Sequence, residues 1–141
     1  MLINRLIYVG LFFTAFSSIV LGCEVERKVP KVKGFYGQVV FRNGPNSVVP
    51  VQDLDMSLMK RVDGHNELFS EVTSDQEGRF EIPNVPAGTY FVSVYSKLYA
   101  VLFLEIKVLK GSSKTKELEI GLELPGTCST GWGAVRKIKS S

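Results

Sequence analysis

The sequence predicts an all-β fold, an antiparallel β-sandwich of about seven to eight strands that follows an N-terminal signal helix. Three observations support this prediction. Past residue 34, apolar and polar side chains alternate with a period of two in one short segment after another. Turn-forming residues separate these segments at a spacing of about ten residues. No stretch after the N-terminal apolar run keeps the period of an amphipathic helix.

The composition indicates one folded domain and gives little support for a nucleic-acid partner. A chain of 141 residues suffices for a single domain. The apolar content of 45% and aromatic content of 11% exclude a disordered chain. The net charge of +3, from 17 basic and 14 acidic residues, is mild compared with nucleic-acid-binding domains, which concentrate positive charge on one face.

The first 22 residues predict a secretory signal peptide. One basic residue lies in Met1–Arg5, and the apolar run Leu6–Leu21 follows it. That run is short for a membrane span, which needs about 20 apolar residues. A basic start, a short apolar segment and the small residue Gly22 are typical of an export signal. An uncleaved N-terminal anchor is the alternative.

The segment Val20–Cys23 resembles the bacterial lipobox, in which a small residue precedes a cysteine. The resemblance implies cleavage after Gly22, transfer of a diacylglyceryl group to the thiol of Cys23, and an exported protein anchored in the bacterial envelope, on the periplasmic side or at the cell surface. Leu21 departs from the motif, which more often has a smaller residue there. Two acyl chains hold a protein on a bilayer where one chain is marginal.

A Cys23–Cys128 disulfide is the exclusive alternative, because a thioether sulfur cannot also form a disulfide. These are the two cysteines of the chain, and an exported protein lies in an oxidising compartment. The bridge would close a loop of roughly 105 residues and stabilise the fold by ~4–5 kcal/mol in the chain-entropy model. The protein would then be soluble and secreted.

Four segments follow from these boundaries. Residues 1–22 are the signal peptide, and 23–33 are a charged tether. Residues 34–124 are the sandwich domain. Residues 125–141 are predicted to be a flexible basic tail, in which Arg136–Lys139 is a solvated cluster.

The first half of the domain contains an opening strand and a hairpin. Apolar residues alternate along Gly34–Arg42, and a turn cluster follows at Asn43–Asn46. Pro50 restricts the segment Val48–Val51 to a short or edge strand, because proline has no N–H to donate. Apolar side chains alternate with acidic ones along Asp53–Lys60. The Asp63-Gly64 pair then predicts a hairpin turn.

The second half continues with short strands. Leu68–Thr73 is the return strand of the hairpin, and Thr73–Val94 contains a turn, a strand, a proline-containing loop and another strand. Leu98–Val108 alternates next. After a polar turn at Lys110–Lys114, Leu118–Leu124 forms the last predicted strand.

The segment Thr73–Val94 resembles the signature of carboxypeptidase regulatory-like domains. The residues that carry the resemblance are Ser74, Asp75, Gly78, Phe80, Ile82, Val85, Pro86, Gly88, Tyr90 and Val92. The resemblance extends over about Gly34–Leu124 and implies a transthyretin-like (prealbumin-like) sandwich. This family has no general catalytic residues, so the resemblance implies none here.

The residues that most resemble catalytic or metal-binding groups have simpler explanations. His65 is the one histidine, and it lies at a predicted hairpin tip without a nearby orienting acid. Asp53 and Asp55 are expected to be solvent-facing charges on a strand. Asp75 and Glu77 are expected to serve their own turn. The sequence therefore predicts no enzyme, no metal site and no cofactor.

The predicted function is a non-catalytic interaction or scaffolding module whose partner is a protein or glycan of the envelope. Phe91, Tyr95 and Tyr99 are the candidate ligand-facing aromatics. A carbohydrate-binding module is the alternative, since exposed aromatic side chains bind sugars or partner proteins. That alternative predicts that all three rings are exposed and coplanar. A third hypothesis is an accessory domain for an enzyme.

Overall fold

The computed structural model describes residues 28–111, 114–125 and 131–138, and the regular structure within them is entirely β-strand. The signal peptide, Cys23 and Cys128 lie outside the described residues. The ten strands are β1 (Lys31–Val32), β2 (Phe35–Arg42), β3 (Val48–Pro50), β4 (Asp55–Val62), β5 (His65–Thr73), β6 (Arg79–Ile82), β7 (Gly88–Val94), β8 (Leu102–Val108), β9 (Lys116–Leu122) and β10 (Trp132–Lys137).

Two sheets of five strands confirm the predicted all-β sandwich. The first sheet has the order β1-β8-β7-β4-β5. The second has the order β10-β9-β2-β3, and β6 also pairs with β2. The buried apolar side chains of both sheets form one core cluster between them.

The period-two alternation correctly predicts which side chains face the core. Tyr90, Val92 and Val94 of β7 are 0% exposed, and so are the alternate residues of β9, which are Leu118, Ile120 and Leu122. Each fully buried aliphatic or aromatic side chain contributes about 1.5–3 kcal/mol relative to an exposed one. The core is therefore sufficient to hold the two layers together.

The prediction of seven or eight antiparallel strands needs two corrections. The described residues contain ten strands, because β1 and β10 form in segments that were assigned to the tether and the tail. Both sheets are mixed, since β1 pairs with β8 and β2 with β9 in parallel. Alternation shows which face of a strand is buried, but it carries no information about the direction of the neighbouring strand.

The domain extends beyond both predicted boundaries. Lys31–Val32, assigned to the tether, pair with β8, and Val32 is only 4% exposed. Trp132–Lys137, assigned to a flexible tail, form an antiparallel edge strand along the whole of β9. β10 follows a Gly- and Ser-rich segment and ends in basic residues, so its sequence alone does not indicate a strand.

The turn after β5 fixes the junction between the sheets. The Ser74 hydroxyl donates to the Val51 carbonyl at 2.7 Å and accepts from the Leu54 N–H at 3.0 Å. One carboxylate oxygen of Asp75 accepts the N–H groups of Glu77 and Arg79 at 3.0 and 2.7 Å. The expectation that Asp75 serves its own turn is confirmed.

Gly78 completes this turn for a steric reason. Its φ is +71°, and an added Cβ would lie 2.5 Å from the Val39 carbonyl oxygen. A hydrogen bond of 2.7 Å from the Val39 N–H to the Gly78 carbonyl also joins this turn to β2. Only glycine fits both the backbone conformation and the close approach.

The strand pairings place the connections at two opposite ends of the sandwich. β1, β6, β8 and β10 run toward one end, where β2, β7 and β9 begin. The β1–β2, β4–β5, β6–β7 and β8–β9 connections therefore lie at that end. The β5–β6, β7–β8 and β2–β3 connections lie at the other.

Candidate interaction surface on the first sheet

An apolar stripe crosses the solvent-facing side of the first sheet. It consists of Leu68, Met59, Phe91 and Phe103, from β5, β4, β7 and β8, and is called the outer stripe below. Met59 pairs directly with Leu68 on one side and with Phe91 on the other. The Phe91 ring stacks on that of Phe103, with centroids 4.9 Å apart and planes 12° from parallel.

Alternation in β7 and a bulge in β5 produce this stripe. Phe91 neighbours the core residue Tyr90 along the strand, so its side chain points to the opposite face. The β4–β5 register shifts between Leu58 and Met59, so that Phe69 has no partner across the pair. Phe69 contacts Tyr90 edge-on at 5.6 Å, and Leu68 is left on the outer face.

Exposure and charge along the stripe are uneven. Leu68 is 58% exposed and Phe103 is 50% exposed, whereas Phe91 is only 8% exposed. The Arg61 guanidinium lies 5.6 Å from the centre of the Phe91 ring, a cation–π contact. The Phe91 ring is therefore in contact with both Arg61 and Phe103, and the exposed apolar area comes mainly from Leu68 and Phe103.

The three predicted ligand-facing aromatics do not form one platform. Phe91 is buried, so the expectation that it is exposed is wrong; Phe103 and Arg61 cover its ring. Tyr95 is 80% exposed and follows Phe91 by four residues. Tyr99 lies in the β7–β8 connection, where its ring packs 5.3 Å from Phe41 and against the core.

Sequence reasoning did not assign Met59, Leu68 or Phe103 to a site. Alternation in β8 places Phe103 opposite the core face, so its exposure was accessible from sequence. The outward position of Leu68 depends on the β5 bulge, for which the sequence has no clear signal. Met59 belongs to the stripe only because of its two cross-strand partners.

The predicted solvent-facing residues lie apart from the stripe. Asp53 is exposed with φ +54°, and Asp55 accepts a hydrogen bond from the Thr73 hydroxyl at 2.6 Å. His65 is exposed as the first residue of β5 and pairs with Val62 across the hairpin. These side chains are separated along the sheet and do not converge on a shared reacting atom.

A buried carboxylate lies on the outer face of the second sheet, and sequence reasoning missed it. Glu117 is 4% exposed and receives the guanidinium of Arg79 at 2.9 Å and that of Arg136 at 2.7 Å. Arg136 also donates to Glu119 and Gln38. Because each Glu117 oxygen is paired, the carboxylate is a structural group that fastens β10 and β6 to β9.

A cleft of about 420 Å³ lies beside this network and is lined by Tyr36, Thr73, Asp75, Arg79 and Glu81, among others. Asp75 is occupied by its turn, and Arg79 pairs with Glu117. The Tyr36 hydroxyl donates to the Lys116 carbonyl at 2.6 Å, and burial raises the pKa of this phenol. None of these groups is arranged as a nucleophile with an adjacent base.

The pKa values of Tyr90 and Lys114 are also raised, by burial and by a neighbouring carboxylate respectively. Burial raises the pKa of Tyr90, whose hydroxyl donates to the Pro86 carbonyl at 2.8 Å. The hydrogen bond and charge of Glu81, 2.5 Å away, raise the pKa of Lys114. Neither shift brings a group toward titration at neutral pH, where general acid–base catalysis operates best.

Within residues 28–111, 114–125 and 131–138, no three His, Cys, Asp or Glu side chains cluster closely enough to hold a metal ion. The same residues contain no helix long and apolar enough to cross a bilayer.

Comparisons with known proteins give a family model and three matching solved chains. The model of polysaccharide lyase family 4, domain II, matches residues 48–116, which is just under half of the chain. The crystal structure of (S)-allantoin synthase is similar with a TM-score of 0.41 and 10% identity. That alignment covers 76% of this chain and 45% of the synthase chain. No curated protein matches. The described residues therefore form a β-sandwich, and residues 48–116 are similar to domain II of polysaccharide lyase family 4.

Proposed function

We propose that this protein is a membrane-tethered, non-catalytic interaction module that binds an envelope protein through its outer stripe. The observation that carries the proposal is the stripe itself. Exposed apolar patches on soluble domains often mark sites of protein interaction. Here Leu68 and Phe103 are at least half exposed on a sheet face that also carries Met59.

The composition of the surface favours a protein partner. Phenylalanine, tyrosine, methionine and arginine are enriched at protein interfaces relative to other surfaces. Three of these types lie in or against the stripe, as Phe103, Met59 and Arg61. A sugar ring stacks on an open aromatic face, but contacts with Arg61 and Phe103 already cover the ring of Phe91.

The tether is the second part of the proposal. Its support is the lipobox-like sequence Val20–Cys23 behind a predicted export signal. The resemblance of Thr73–Val94 to carboxypeptidase regulatory-like domains supports a non-catalytic role. A lipid on Cys23 would hold the sandwich close to the bilayer and raise its effective concentration for partners on the same membrane.

Carbohydrate binding is a second candidate function. The similarity of residues 48–116 to a domain of a polysaccharide lyase family favours it. The matched segment includes β3 to β8, and therefore all four residues of the outer stripe. Under this alternative the domain would present a glycan rather than a protein partner.

Site-specific photo-crosslinking in producing cells tests the protein-binding proposal. A photoreactive phenylalanine analogue at position 103 should give one discrete crosslinked protein product. The same analogue at position 48 is the matched control, because Val48 is also 50% exposed but lies on the other sheet. Adding Leu68→Ser should weaken the product from position 103 several-fold.

Two results would count against the proposal. Equal crosslinking from positions 103 and 48 would show that the stripe has no special partner. A product of twice the chain mass would identify a second copy of this protein, not another envelope protein, as the occupant.

A further inference from the structure

We propose that one end of the sandwich binds an acidic polysaccharide. This inference rests on the carbohydrate-binding alternative above, and it names the glycan class and a surface separate from the outer stripe. The end where the β1–β2 and β8–β9 connections meet is called the basic end. It carries seven exposed lysines, which are Lys31, Lys33, Lys107, Lys110, Lys114, Lys116 and Lys137.

The strand pairings bring these lysines together from distant parts of the sequence. Lys31 is the register partner of Lys107, and Lys116 is the register partner of Lys137. The side chain of Lys33 lies against Gly111 in the β8–β9 connection, next to Lys110. Lysines from four strands and two connections therefore share one end of the molecule.

This arrangement opposes stability, which suggests that it serves another purpose. Like charges at directly opposed positions of a sheet are destabilising. Among the described residues, one of the seven lysines has a carboxylate partner, namely Lys114 with Glu81. Asp53, Asp55, Asp75 and Glu77 lie at the far end of the sandwich. Asp63 and Glu67 lie at the same end as the lysines, but on the β4–β5 side of the first sheet, separated from β1 and β8 by β7.

The geometry fits a polymer better than a small anion. The lysine side chains are exposed and spread over adjacent strands about 4.8 Å apart, so they match a row of charges. A shallow cleft of about 290 Å³ at this end is lined by Lys33, Tyr36 and Lys114, with the Lys114 ammonium 5.4 Å from the centre of the Tyr36 ring. Lys114 covers the Tyr36 ring and pairs with Glu81, which also lines this cleft, so Lys33 and the lysines around the cleft are the groups that suit the carboxylates of an acidic sugar chain.

The direction of β1 argues against the bilayer as the occupant. β1 runs toward the basic end, so the residues before Lys31 approach from the opposite direction. Pro30 already lies near Gly133 and Leu104, away from that end. Lys28 follows Cys23 by five positions, a distance of at most ~18 Å along the chain. A lipid on Cys23 would therefore leave the basic end directed away from the membrane surface.

Binding of alginate oligosaccharides to the full chain in non-ionic detergent tests this inference. We expect binding at low salt that weakens at least tenfold between about 50 and 500 mM salt, because exposed charges are screened within a few ångströms at high ionic strength. A quadruple variant with Lys31, Lys33, Lys107 and Lys110 each changed to Gln should bind at least tenfold more weakly. Lys97→Gln, at the opposite end, is the control and should leave affinity within twofold.

Three comparison probes decide the occupant. Maltohexaose, which is neutral, should not bind. Polyglutamate and phosphatidylglycerol vesicles carry negative charge without acidic sugars, and binding as tight as that of alginate would overturn the glycan assignment. Absence of alginate binding at low salt would overturn the inference itself. Leu68→Ser separates the two surfaces, because it should reduce crosslinking from position 103 and leave alginate affinity unchanged.

Discussion

Arg136→Gln should destabilise the domain by detaching β10 from the second sheet. Arg136 lies in the segment that the sequence assigns to a flexible tail, yet it donates to Glu117 at 2.7 Å and also to Glu119 and Gln38. Glu117 is 4% exposed, so its carboxylate has lost most of its contact with water, and the hydrogen bonds from these partners replace that hydration.

The size of the expected loss in unfolding free energy follows from how exposed the Arg136 and Glu117 side chains are. Hydrogen bonds to charged groups contribute about 1.5–3 kcal/mol each, and exposed ion pairs contribute at most ~1 kcal/mol. The Arg136 side chain is 36% exposed and Glu117 keeps Arg79 as a second partner, so we expect a loss of about 2 kcal/mol. Arg79→Gln should lose less than ~1 kcal/mol, because that side chain is 53% exposed and makes a single ion pair.

Urea unfolding followed by the fluorescence of Trp132 measures both values. Trp132 is the single tryptophan and lies in β10, so the signal also reports whether the strand stays docked. Equal losses for Arg136→Gln and Arg79→Gln, or a loss below about 0.5 kcal/mol for Arg136→Gln, would refute the reasoning that Arg136 is the main fastener of β10.

Three further predictions concern the core, the second sheet and the tether. The free energy of unfolding should fall as the pH rises above about 10, because the raised pKa of Tyr90 keeps its phenol neutral in the folded state while the same phenol ionises in the unfolded chain. In a pH series, Tyr90→Phe should show a smaller fall. Gly121→Ala should cost at least about 2 kcal/mol and red-shift Trp132 emission, since its Cβ would lie 2.0 Å from the Trp132 ring. Cys23→Ser should abolish flotation of the protein with membranes while Cys128→Ser leaves it intact; equal loss of stability in both variants would favour the disulfide.

The residues that face the core could be predicted from sequence because burial is a local property of a strand. Tyr90, Val92 and Val94 alternate with polar or outward residues, and the burial of each follows from that pattern. Asp75 and Gly78 were equally predictable, since the turn they form is specified by neighbouring residues.

The features that sequence reasoning missed depend on pairing between distant segments. β10 is held in place by the ion pair between Arg136 and Glu117 and by Trp132, which packs over Gly121 where a side chain would not fit. Leu68 faces outward because of a bulge in β5. None of these contacts leaves a periodic signal in the segment concerned.

The distribution of charge over the fold could also not be predicted from the sequence alone. The net charge of +3 gave little support for a nucleic-acid partner, but this value averages over the whole chain. The fold separates lysines such as Lys107 and Lys116 from carboxylates such as Asp53 and Asp75, and so creates a basic end that the sum conceals. Association with a charged polymer responds to the local distribution rather than to the net value.

Hydroxyl-radical footprinting of the native envelope, compared with the purified chain, tests the central claim that the outer stripe is an occupied contact surface. We expect oxidation of Met59, Leu68 and Phe103 to fall at least threefold in the envelope, while that of Val48 and Val49 on the second sheet stays the same. Equal oxidation of the stripe in both samples would show that it faces solvent in place and would contradict the proposed function.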